Sequence, residues 1–378
     1  MAKKAYIGID DVARKIRKGY IGIDGIARKI MRAYVGIGGV ARPCWRSGEL
    51  DYYGTITELS VSRYNLAATT VGNHALFGGG LSSDHVSVLD AYDESLTRTT
   101  PSSLSKARSE MAATTVGSYA LFGGGLSGTL LGGYSVYDTV DALNESLTRS
   151  NPTVLQHAGG SLTATAVGDY AIFAGGRETY VTAYNKSLTR SSASELTQVI
   201  YSLAATAVGD YALFGGGYNN TSTIHTTVFA YNKSLTRSNP TGISVGRSHL
   251  AATTVGDYAL FGGGYSWGPS YVSLATVDAY DKQLTRTVQA ELSAARESLS
   301  ATTVGKYALF GGGYVHTTEI VLDTVDAYDV HLTHTIPTTL KTARAKLAAT
   351  SVGGFALFGG GSTVDGTTRY ATVDAYTV

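Results

Sequence analysis

The chain of 378 residues has a single cysteine, Cys44, so no disulfide can form within it. A β-rich protein that manages without disulfides fits synthesis in a reducing compartment. No apolar run approaches the roughly 18 residues needed to span a bilayer, which argues against membrane insertion. The start, MAKKAYIGID, has two lysines but no apolar stretch of signal-peptide length. These absences point to a chain made in the cytoplasm without a secretion signal. Proline is scarce at 6 residues, and the only tryptophans are Trp45 and Trp267. Catalytic signatures are also missing. There is no H-E-x-x-H and no S-x-D-x-G-x-T-W box. His331 and His334 form one His-x-x-His pair, but strand residues three apart face opposite ways and cannot share a metal. No metal, no cofactor and no enzymatic activity are therefore expected.

Net charge excludes little, because 30 basic residues face 29 acidic ones. Its distribution says more. Residues 1–46 hold eleven Lys/Arg against three Asp, leaving 19 basic and 26 acidic residues for the rest. That asymmetry marks a basic arm ahead of a mildly acidic body. The arm repeats every 14 residues: AYIGIDDVARKIRK, GYIGIDGIARKIMR, AYVGIGGVARPCW. Each unit is an apolar run, a two-residue turn and a second run, and Asp24-Gly25 and Gly38-Gly39 suit type I′ hairpin turns. Pairing across the first turn sets Ile9 opposite Val12 and Ile7 opposite Arg14. The expected result is a small β-hairpin module, with Tyr6, Ile7, Arg14, Lys15, Tyr20, Arg28, Lys29, Tyr34 and Arg42 as docking residues. Such hairpins are marginal alone and want a partner surface or a second copy of the chain. The basic residues lack interleaved exposed aromatics, which argues against nucleic acid as the partner.

The body repeats a longer unit seven times: LAATTVG-x-YALFGGG, a variable loop, then TVDAYD-x-SLTRT. The glycine-run anchors fall at Gly78, Gly123, Ala174, Gly215, Gly262, Gly311 and Gly359, spaced by 45, 51, 41, 47, 49 and 48 residues. Units of 40 to 50 residues with four short strand-like runs read as β-propeller blades. Strand a is LAATTV (66–71), strand b YALF (119–122), strand c TVDAYD (276–281) and strand d LTRT (284–287). The last unit stops at VDAYTV without a strand d. Residues 53–58 resemble the tail of a unit and are expected to supply it, closing the ring. The fold class is therefore all-β: a seven-bladed propeller over 47–378, preceded by the hairpin module of 1–46.

The glycine run after an apolar strand, the Arg before strand a (Arg63, Arg108, Arg247, Arg296, Arg344) and the V-x-x-Y-D of strand c resemble the kelch family of β-propellers over about 51–378. The chain departs from that family at strand d, which lacks the usual Trp. The YIGIDGIARKI hairpins are similar to leader segments of structural proteins of phages and prophages of Gram-positive bacteria. That second resemblance implies a virion location.

In a blade of this order the b–c and d–a loops share one face. The a–b and c–d turns scarcely vary in length, whereas the b–c loops run from 177–179 to 126–138. These loops hold Tyr134, Tyr218, Asn219, Asn220, Tyr265, Trp267, Tyr271, Tyr314 and His316, a composition used by binding surfaces. The five arginines before strand a sit on the same side and are expected to form a basic ring around the axis. The function these features imply is a non-enzymatic virion component: a decoration, fibre or baseplate-type protein. Its arm would dock to other virion proteins, and its loops would face a host-surface glycan or protein. The alternative is an intracellular kelch-like scaffold for protein–protein interaction.

Overall fold

The computed structural model describes the side chains of residues 48–378, except 129–132, 220–222 and 269. Of residues 1–47 it describes only backbone strands, which run in antiparallel pairs such as Tyr6–Ile9 with Val12–Lys15 and Gly19–Ile23 with Ile26–Ile30. The docking residues proposed for this arm, Tyr6 to Arg42, thus lie outside the described side chains.

The body is a seven-bladed β-propeller. Each blade is a four-stranded antiparallel sheet in the order a-b-c-d, as in Ala112–Val116, Tyr119–Gly123, Val140–Asn144 and Arg149–Ser150. Strand a is innermost. Its Thr side chains bond across blades: Thr69 Oγ1 meets Thr115 Oγ1 at 2.9 Å, and Thr253 meets Thr303 at 2.9 Å. Threonine suits this place because it favours extended backbone and brings a hydroxyl that a neighbour can satisfy.

The apolar residues of strands a, b and c form wedge-shaped cores between adjacent blades. One wedge joins Leu76, Leu89 and Ala91 to Ala120, Phe122 and Leu143 of the next blade. Another joins Leu357 and Val373 of the last blade to Phe77 and Tyr92 of the first. The Phe of strand b reaches under the glycine run of the blade before it. A Cβ on Gly123 would lie 2.7 Å from Phe173, and one on Gly311 2.8 Å from Phe358. The two glycines that follow have positive φ, 69° and 102° at Gly312 and Gly313. The run therefore serves one close approach and one left-handed turn, as its place after an apolar strand suggests.

Strand d starts later than the repeat predicts. It begins at the Arg of LTRT, and the preceding Leu lies in the c–d turn with φ near 60°, as at Leu96 and Leu284. The acidic or amide residue ending strand c imposes this turn. Asp93 accepts hydrogen bonds from the amides of Ser95 and Thr97 at 2.8 and 2.9 Å, and Asn232 does the same for Ser234 and Thr236. The strained Leu is retained because its side chain packs into the wedge between blades, as Leu96 does beside Tyr92.

The strand that completes the last blade is Asp51–Ile56, beginning two residues before the expected 53–58. The shift has a local cause. Register slips between Ala375 and Tyr376, so Tyr53 bulges out against Phe355, 5.1 Å between ring centroids. Tyr52 turns instead onto Tyr376, at 5.2 Å, and donates a hydrogen bond to Asp374 at 2.6 Å.

The second glycine of the run carries a testable cost. A Cβ on Gly79, where φ is +60°, would stand 2.5 Å from the Arg108 carbonyl oxygen of the next blade. Gly79→Ala is expected to destabilise the protein by about 2–4 kcal/mol, from backbone strain and overpacking combined. Chemical denaturation of the variant measures this.

Candidate functional site

One residue just ahead of strand a, directly before the Leu or Met that leads into it, has a left-handed backbone in every blade. These are Asn65, Glu110, Ser161, Ser202, His249, Ser298 and Lys346, with φ between 51° and 57°. The geometry turns the chain inward from the preceding blade onto the axis. It also aims six of the seven amides at the neighbouring blade. Glu110 N donates to the Asn65 carbonyl at 3.1 Å, Ser161 N to Glu110 at 3.1 Å, and Ser202 N to Ser161 at 3.2 Å. Ser298 N donates to His249 at 3.0 Å, Lys346 N to Ser298 at 2.9 Å, and Asn65 N to Lys346 at 3.0 Å. Six backbone hydrogen bonds thus run around the mouth of the axis, broken only between Ser202 and His249, with one side chain from each blade on this belt.

All seven side chains line a funnel of about 580 Å³. One wall is aromatic and comes from blades 4 to 6. Tyr201 stacks on Tyr218 at 5.4 Å, Tyr218 on His249 at 6.2 Å, and His249 on Tyr265 at 5.3 Å. Tyr271 continues the series between Tyr265, at 4.7 Å, and His316, at 4.2 Å. The opposite wall is hydrophilic. There the Glu110 carboxylate accepts from Ser161 Oγ at 2.7 Å and from Asn65 Nδ2 at 3.4 Å.

Ionisable groups in the funnel are tied to the protein. Glu297 is buried and lies 3.0 Å from His316 Nδ1. Burial raises its pKa, and the hydrogen bonds from Tyr314 and His316 oppose that rise. Burial likewise raises the Tyr314 hydroxyl, helped by the Glu297 charge. Burial pushes His249 down to about 4, with Lys346 adding to the effect, so its imidazole is neutral at physiological pH. Burial lowers Lys346 as well, against the pull of Asp365, Glu110 and Glu297. Its Nζ donates to the Val364 carbonyl at 2.7 Å and lies 5.5 Å over the Tyr64 ring.

Of the loop residues singled out from sequence, Tyr218, Tyr265, Tyr271, Tyr314 and His316 line this funnel. Trp267 does not. It is 54% exposed on the hairpin Tyr265–Trp267/Tyr271–Ser273, edge-on to Tyr271 at 4.3 Å. Tyr134 is 48% exposed on the separate hairpin Leu126–Thr129/Gly133–Val136. The Asn219 side chain closes a turn by accepting from Thr223 N at 2.9 Å. Asn220 lies outside the described residues.

The five arginines do not form a basic ring open to a ligand. Arg63, Arg108, Arg247, Arg296 and Arg344 are each 0% exposed. Each reaches into its own blade and pairs with the strand-c aspartate: Asp90, Asp141, Asp278, Asp326 and Asp374, at 2.6–2.8 Å. The same guanidinium donates to a strand-b carbonyl, as Arg247 does to Phe261 at 3.1 Å. A strand-d group completes most of these sites. Arg98, Arg149, Arg286 and His334 contact the first four aspartates in turn. Blades 3 and 4 have lost both partners together, carrying Gly159 with Thr182 and Ile200 with Phe229 in the corresponding places. Ile200 and Phe229 share one apolar cluster. The pairs are structural because a buried charge stays only where its counter-charge does.

Sequence reading missed the seven-residue belt. A signal was present: the position before L-A-A-T reads Asn, Glu, Ser, Ser, His, Ser, Lys while the segment that follows it repeats.

No family model matches the chain, and a search of curated proteins finds no match. Among solved structures the chain is similar to one described as "Structure of YjhT", with a TM-score of 0.61 and 13% sequence identity. The match covers 75% of this chain and 99% of that one. At that identity the likeness carries the fold alone. The protein is a seven-bladed β-propeller.

Proposed function

We propose that the protein binds a surface ligand in the funnel at the mouth of its propeller axis, without catalysing a reaction. The observation that carries this reading is the belt of Asn65, Glu110, Ser161, Ser202, His249, Ser298 and Lys346. The position varies in chemistry directly ahead of a repeating L-A-A-T segment, and all seven copies line one cavity. Aromatic walls with a few convergent polar groups and perturbed ionisable residues are what ligand sites are made of.

The finer reading is a kelch-like component of a phage or prophage particle. The basic hairpin arm of 1–46 would dock it to other virion proteins, and the funnel would face a host-surface glycan or protein. The arm's 14-residue repeat, its charge and its resemblance to phage leader segments support this reading. Exposed Trp267, Val272 and Ile320 on the hairpins of blades 5 and 6 favour a second one, a scaffold that contacts a protein partner.

The test uses particles carrying altered protein. A chain lacking residues 1–46 is expected to be soluble and absent from the particle. Trp267→Ala with Tyr271→Ala is expected to leave incorporation intact and cut adsorption to host envelopes at least tenfold, since aromatic anchors cost about 2 kcal/mol or more on truncation. Full incorporation of the armless chain would overturn the docking role. Unchanged adsorption would overturn the binding role.

A further inference from the structure

We infer that the funnel takes the terminal one or two sugar units of an uncharged glycan. The Glu110–Asn65–Ser161 wall would read its hydroxyls, and the tyrosine wall would cover its apolar face. This deepens the binding reading above and rests on it.

Shape argues first. A cavity of about 580 Å³ at the centre of seven blades is in the range of small-ligand pockets. A protein partner needs roughly 800 Å² of each surface, which a funnel floor of this size does not offer. It is sized for the end of a chain that enters along the axis.

Charge argues second. The funnel holds both signs, and each is already answered by the protein. The Glu110 carboxylate lies between Ser161 and Asn65, Glu297 is held by His316 and Tyr314, and Lys346 bonds Val364 while covering Tyr64. His249 is neutral at physiological pH. An anionic ligand would meet Glu110 and Glu297, and a cationic one would meet Lys346. A neutral ligand rich in donors and acceptors avoids both penalties.

Chemistry argues third. A carboxylate only accepts hydrogen bonds, so Glu110 suits a ligand that presents O–H donors. Ser202 and Ser298, short and able to donate or accept, line the same funnel. Tyr218 and Tyr271 are half-buried members of the aromatic wall and supply rigid surface with a polar edge, which matches a sugar ring with its C–H faces and peripheral hydroxyls.

The experiment titrates the full-length protein with the methyl glycosides of glucose, galactose and N-acetylglucosamine. Glucuronic acid and choline serve as charged comparators, and binding is read by saturation-transfer NMR and calorimetry. At least one neutral glycoside is expected to bind tenfold more tightly than either comparator, with less than a twofold change in Kd between low and high salt. Glu110→Ala is expected to weaken it at least tenfold, and Glu110→Gln, which keeps an acceptor, by less. Tighter binding of glucuronic acid or choline, or equal glycoside binding by Glu110→Ala in a folded protein, would overturn the inference. Silence of all the glycosides would overturn it too. If particles still adsorb in that case, and lose adsorption with the Trp267 and Tyr271 changes, the binding reading survives and only the ligand class fails. If adsorption is also insensitive to those changes, both fall.

Discussion

A chain that starts at Thr57 is expected to lose the cooperative unfolding transition of the intact propeller, whereas one that starts at Gly48 keeps it. The two differ in the strand Asp51–Ile56, which pairs with Val373–Thr377 and closes the ring. Without that strand, the outer edge of the last blade has no partner for its backbone groups, an aggregation hazard as well as a loss of stability. Side chains are lost with it. Tyr52 packs in the wedge between the last two blades, and Ile56 in the wedge joining the last blade to the first. Tyr52 also gives Asp374 its 2.6 Å hydrogen bond, and Asp374 is the partner of buried Arg344. Each half-buried aromatic or aliphatic side chain removed costs roughly 1–3 kcal/mol, so the sum approaches the whole stability of an ordinary domain. Thermal unfolding of the two truncations, followed by circular dichroism and light scattering, compares them directly. Coincident transitions would mean that the ring does not depend on this closure.

The second large effect is expected at the buried ion pairs. Arg247→Ile alone should cost about 3–5 kcal/mol, because it strands Asp278 at 0% exposure with only part of its hydrogen bonding. Asp278 would keep Arg286 at 2.9 Å and Ser244 Oγ at 3.0 Å, which do not replace the fully buried partner. Arg247→Ile with Asp278→Phe should recover most of that loss. This double change copies the solution found in blade 4, where Ile200 and Phe229 occupy the corresponding places in one apolar cluster. Urea denaturation of the single and double variants gives the coupling energy. A double variant no better than Arg247→Ile would show that the pair is specific to its blade and not interchangeable with an apolar one.

Much of the architecture was legible because a repeat makes each local rule visible several times. The FGGG run follows from one close approach and two positive φ angles, and the Y-D/N ending of strand c follows from the turn it caps. Both are short-range effects. The start of strand d was misread for the same kind of reason in reverse. Leu96 and Leu284 look like strand residues by composition, but the Asp side chain before each one forces the turn and puts the Leu at φ 63°. The arginines were misread because pattern shows position along the chain and not depth. Arg247 precedes strand a on the loop side, and its side chain lies along the blade interior, bonded to a carboxylate 31 residues away.

The sequence by itself determined the number of blades, the order of their strands, the small threonine-rich axis and the segment near residue 53 that completes the last unit. All of these rest on periodicity and on contacts within or between adjacent units. The tertiary structure alone decided which polar residues lie inside a blade and which line the open mouth of the axis. The Arg–Asp pairs and the belt from Asn65 to Lys346 differ in what the closed ring places around them. One set is enclosed by a neighbouring blade, and the other is turned by a left-handed backbone into the open mouth of the axis. That distinction comes from joining seven similar sheets into a circle.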